Sequence, residues 1–167
     1  MGTWGILERQ SDNGLDMLGL IMTEQLRKVD FATLNVAEAI RLLNEDTQNE
    51  IEKCRQKPPS ESTEWYINEI LMHNFTHAAV LVAECIAEYD QTGEWIVYDA
   101  VGENYDPVEH RIKNFIITTA DLQSLLEVLQ RIQDLEHWRY QCWVDDETRQ
   151  RWLAHIQSVY QTLKDHI

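Results

Sequence analysis

The chain has 167 residues, 44% apolar and 26% charged, which suits one self-supporting domain and excludes a disordered or disulfide-stapled one. Fourteen Lys and Arg against 29 Asp and Glu leave a formal net charge of −15. That balance repels phosphate backbones and anionic headgroups, so it argues against nucleic-acid and membrane-surface partners and favours a basic protein.

The first predicted helix starts at Ser11 as N-cap and carries Leu15, Leu18, Met22, Leu26 and Val29 at steps of three and four. Asn35 with Glu38 opens a second, through Val36, Ile40, Leu43, Thr47, Ile51 and Cys54, which stops before Pro58-Pro59. Ser60 or Ser62 caps a third, which runs to about Tyr89 and is closed by Gly93. Nearly thirty residues at about 1.5 Å each make roughly 43 Å, against a diameter of about 40 Å for a folded chain of this length. The third helix therefore either crosses the whole domain or breaks near Asn74–Thr76.

The stretch 91–105, with two glycines and three aromatics, reads as an ordered loop; a strand at Trp95–Tyr98 would have no evident partner. Asp106-Pro107 followed by Glu109 predicts a short helix carrying Val108, Ile112 and Phe115. Thr118-x-x-Asp121 opens a fifth helix, with Leu122, Leu125, Leu129 and Ile132 on one side. The last, from near Asp145, carries Trp152, Leu153, Ile156, Val159, Tyr160 and Leu163. The expected fold is all-α: a single-domain helical bundle over residues 1–167, with five long helices, one short one and an aromatic, acidic loop around 91–105.

Glu69, His73 and His77 leave one side of the third helix and form the sharpest candidate for chemistry, a two-histidine, one-carboxylate metal site in an enzyme. Against it, Ile67, Leu71, Phe75, Ala78, Val82, Cys85, Ile86 and Tyr89 share one arc. Glu69, His73, His77, Glu84 and Glu88 gather opposite, as on a solvated face. Asn74 stands where a zinc protease needs glutamate, and no helix offers Glu-x-x-His on its core side. The remaining histidines fall singly, His155 beside the apolar stripe of the last helix. The solvated face is the preferred reading, so no metal and no cofactor is assigned. No G-x-S-x-G, phosphate-cradling G-x-x-x-x-G-K-[ST] or G-x-G-x-x-G motif occurs, and no catalytic residue is assigned.

Cys54, Cys85 and Cys142 are three scattered cysteines, which fits reduced thiols in the cytoplasm, with Cys142 expected as a buried, inert thiol. The longest unbroken apolar run, Ala78–Ala83, is too short to span a bilayer, and the N-terminus lacks a basic-then-apolar signal segment. Ile6 occupies the position where a myristoylation motif requires Ser or Thr. Trp65, Trp138, Trp143 and Trp152 lie at helix ends or on apolar stripes, as core residues do. Trp95, Tyr98, Asp99, Tyr105 and Asp106 set aromatics among carboxylates, a composition suited to protein binding; the alternative is that the aromatics pin the loop to the bundle.

The opening Met1-Gly2-Thr3-Trp4-Gly5, followed by Ser11-Asp12-Asn13-Gly14-Leu15-Asp16, resembles an uncharacterised family of small bacterial proteins, members of which begin Met-Gly-Thr/Ala-Trp-Gly. The region from Trp143 through Asp145-Asp146-Glu147 to Leu163 is similar to that family's closing helix. The likeness covers both ends, about a third of the chain. The stretch Ile6–Gln10 departs from it by lacking the Gly-x-Phe-Asp-Asn that members commonly carry. It implies a small helical domain with Trp4 tucked against the bundle, and no reaction, cofactor or catalytic residue. The resulting expectation is a non-enzymatic bacterial protein that binds a basic macromolecular partner, in the manner of an immunity protein. An acidic mimic of nucleic acid is a further reading. Oligomeric state is not encoded in any feature above.

Overall fold

The computed structural model describes residues 6–28, 32–101, 106–138, 142–143 and 145–167. The protein is mostly helical. Five long helices carry it: α1 (Asp12–Glu24), α2 (Val36–Arg55), α3 (Glu61–Thr92), α4 (Thr119–Ile132) and α5 (Asp146–Lys164). Each starts where a side-chain oxygen takes up an orphan backbone N–H. Ser11 accepts from Gly14, Asn35 from Glu38, Ser60 from Thr63, Thr118 from Asp121 and Asp145 from Thr148. At Thr118 the exchange is reciprocal, because the Asp121 carboxylate accepts the Thr118 N–H at 2.8 Å.

α3 settles the question of length. It is continuous over 32 residues, about 48 Å at the usual rise, and it does not break at Asn74–Thr76. The irregularity falls earlier, as a single wide turn at Ile67–Leu71. α3 is the central member: α1, α2, α4 and α5 all pack on it, and every residue from Thr76 to Ala87 is buried. Taken whole, it is long and apolar enough by length and composition to cross a membrane. Yet 72% of that window is buried by the rest of the chain, the setting of a core helix.

The loop and short helix expected over 91–115 are replaced by strands. β2 (Trp95–Val101) pairs antiparallel with β3 (Asp106–Ile112) in the register Trp95↔Ile112, Val97↔His110 and Val101↔Asp106. Burial alternates as a pleat requires: Trp95, Val97 and Ile112 are buried, while Tyr98 and Arg111 are exposed. Pro107 suited a helix start and also suits a strand end, where it stands opposite Ala100. The partner that β2 seemed to lack is therefore the segment read as helix. A second pair joins β1 (Thr33–Asn35) to β4 (Asn114–Ile116) in parallel. The main core gathers Ile21, Leu26, Leu34, Leu81, Trp95, Ile112, Leu129, Trp152 and Ile156 around α3.

Candidate functional site

Between Thr76 and Ala87 the polar arc of α3 does not face water, although Glu69 near its start does. His77 and Glu84 are buried at 6% and 8% exposure, because the stretch that the other four helices enclose has no wet side. Both are satisfied from distant parts of the chain. Glu8, fully buried in a single tight turn over Glu8–Gln10, brings its carboxylate to 2.7 Å from Nδ1 of His77. The Ser11 hydroxyl lies 2.8 Å from the same carboxylate oxygen and donates to it. The backbone N–H of Glu8 donates to the Glu84 carboxylate at 2.7 Å, and the other oxygen of Glu84 lies 2.8 Å from Nε2 of His155 on α5. With both carboxylates ionised, the imidazoles are the donors. One hydrogen-bonded chain thus joins the N-terminal turn, α3 and α5. Next to it, Arg9 bridges Glu88 at 2.5 Å.

Burial pushes the Glu84 carboxyl above its ordinary range, which the His155 bond opposes and the nearby charge of Glu8 reinforces. The adjacent Cys85 thiol is pushed well up, first by burial and then by Glu84. It is a poor nucleophile there. Ser11 is committed to Glu8 and accepts from Gly14, so it is not activated either.

Two openings flank this network. A cavity of about 320 Å³ reaches Glu84 and His155 from outside and is also lined by Arg9, Glu88, Trp95 and Ser158. A larger groove, about 500 Å³, runs between α1, α2 and α3. Asp12 and Asp16, one turn apart on α1, face Asp46 and Glu50, one turn apart on α2. Tyr66 and Leu71 of α3 also line it, and no Lys or Arg does. Glu50 is bridged to Lys53 along its own helix at 2.5 Å.

The residues singled out from the sequence are not brought together. Glu69 is exposed; His73 stacks face to face on Trp138 with ring centroids 3.8 Å apart; His77 is bound to Glu8. Among the described residues, no group of three or more His, Cys, Asp or Glu is arranged to hold a metal ion. Trp95 is wholly buried and cannot anchor a partner, so it pins the hairpin to the bundle. Tyr98 is 59% exposed. Trp4 and Tyr105 lie outside the described residues, as do the side chains of Asp99 and Asp106. His155, far from idle beside its stripe, is the partner of Glu84. Trp143 and Trp152 are buried as expected, but Trp65 is 58% exposed, and Cys142 is exposed, not buried.

No family model, curated protein or solved structure matches the chain.

One signal for the missed network was present. Between Ala78 and Ala87, Glu84 is the only charged residue in a run that is apolar on every side of the helix. A helix apolar all round is enclosed, and an enclosed carboxylate demands donors. Identifying Glu8 and His155 as those donors needed the tertiary structure.

Proposed function

We propose that this chain is a bacterial, cytoplasmic binding protein whose partner is a basic protein, as for an immunity protein that neutralises a cationic toxin. The groove between α1, α2 and α3 carries the proposal. Four carboxylates on two facing helices, with Leu71 and Tyr66 beside them, suit a Lys or Arg side chain. The methylene stem packs on the apolar part and the charged head meets the acids. Exposed Trp65 and Leu15 adjoin groove residues in sequence and supply contact area of the kind that anchors interfaces. The net charge of −15 steers a cationic partner toward the protein from a distance. Membership of the small bacterial family that the two chain ends resemble belongs to the same proposal.

The test compares wild type with Asp16→Asn/Asp46→Asn as bait in a lysate of the native host, at low and at high salt. Wild type should retain a basic protein at low salt and release it at high salt, and the variant should bind that protein about tenfold more weakly, a loss of about 1.4 kcal/mol. Retention of nothing at either salt overturns the proposal, as does a partner held equally by both proteins.

A further inference from the structure

The cavity beneath the N-terminal turn is separate from the acidic groove, and its lining is chemically specific. We propose that it binds a small amino alcohol: a primary ammonium seated against Glu84 and Glu88, and a neutral oxygen that accepts the indole N–H of Trp95.

Charge gives the first half. Two carboxylates, Glu84 and Glu88, line the space against one obligatory cation, Arg9, which already lies 2.5 Å from Glu88. His155 is engaged with Glu84 through Nε2. With Glu84 ionised, two carboxylates face one obligatory cation in a partly desolvated place, which suits an organic cation. A carboxylate oxygen accepts more than one hydrogen bond, so the existing bonds from Glu8 and His155 leave acceptor capacity on Glu84.

Trp95 gives the second half. It lines the same cavity, is 0% exposed, and its Nε1–H has no acceptor among the described residues. A buried donor without a partner costs free energy, and a ligand oxygen relieves that cost. The oxygen must be neutral, because a second anion would meet Glu84 and Glu88. Size agrees: about 320 Å³ is the lower end of the range for small-molecule sites. The Ser158 hydroxyl lines the same wall as a further polar contact.

The experiment is an NMR titration of ¹⁵N-labelled full-length protein with ethanolamine and longer amino alcohols, against matched plain amines, neutral diols and hydroxy acids. The Trp95 indole resonance is assigned by its loss in Trp95→Phe. Amino alcohols should move that resonance saturably and bind more tightly at about pH 8 than at about pH 5, because the Glu84 carboxyl must ionise to take the cation. Glu84→Gln should weaken binding about tenfold or more. The Asp16→Asn/Asp46→Asn groove variant should bind as wild type does, which separates this proposal from the previous one. If Glu84→Gln does not fold, Glu88→Gln and Trp95→Phe carry the test: the first should weaken all amines, and the second should abolish only the preference for amino alcohols over plain amines. Equal binding of diols or hydroxy acids overturns the proposal, as does amine binding indifferent to these substitutions or the absence of any saturable shift.

Discussion

Glu84 places a carboxyl in a largely desolvated position, 8% exposed in the wall of a cavity, and the balance of its protonation is a stability term. Burial raises its pKa first of all, and the bonds from His155 and the Glu8 N–H pull the other way. An acid whose folded pKa is raised contributes stability that is fully present below its unfolded value and is lost as pH climbs through the folded one. Wild type therefore carries a cost at neutral pH that it lacks in acid. Glu84→Gln cannot ionise, and it keeps both contacts if His155 adopts the tautomer that accepts at Nε2. The urea midpoint of wild type relative to Glu84→Gln should favour wild type most at about pH 4 and below, under the ordinary glutamate value, and fall steadily toward about pH 8. A difference that stays constant across that range would remove the argument.

Two glycines show how elements are joined, each for a different reason. Gly14 sits in the first turn of α1, directly under the N-terminal turn; a methyl group there would stand 2.6 Å from the carbonyl carbon of Glu8. Gly93 closes α3 with φ of 77° and open space around it. Gly93→Ala should cost about 1–2 kcal/mol through backbone conformation alone. Gly14→Ala should cost about 1–3 kcal/mol through overpacking, and should also disturb the docking of Glu8. Chemical denaturation gives both figures, and the His77 ring resonances should shift in Gly14→Ala only. Helix starts, the Gly93 stop and the apolar stripes were legible in the sequence because each rests on residues within four positions of one another. The β2–β3 hairpin was not, since Asp106-Pro107 satisfies two local rules and only pairing with Trp95–Val101 chooses between them. The alternation of Val108, His110 and Ile112 with Glu109, Arg111 and Lys113 was a local hint of the strand, too short by itself to decide. The buried face of α3 was missed for a related reason: a helical wheel describes one helix, whereas burial depends on what surrounds it. The acidic rows of the groove are local, Asp12 with Asp16 and Asp46 with Glu50, but only the packing of α1 beside α2 makes them face each other.

Charge acts on the whole molecule. A surplus of fifteen negative charges repels itself within a folded volume, a cost that the unfolded chain relaxes by expanding. Simple salt screens this repulsion over about 10 Å at 0.1 M. Thermal unfolding should therefore move upward as sodium or potassium chloride is added, by about 2–4 °C for each 1 kcal/mol gained. A midpoint that falls with salt would mean that the exposed ion pairs, such as Arg41 with Glu38 and Glu45, outweigh the general repulsion. The same screening weakens capture of a basic partner, so stability and affinity should respond to salt in opposite directions.

The bond between Glu84 and His155 spans 71 residues of sequence, and that separation becomes a delay during synthesis. At roughly 5–20 residues per second, the ribosome adds the imidazole about 4–14 s after the carboxyl. Glu8 is already present, but its backbone N–H is one donor of the two. Until the last helix emerges, the nascent core holds an acid with half its partners, so the central helix stays cheap to open. Arrival of α5, well after the first hundred residues, is what gives Glu84 its second donor.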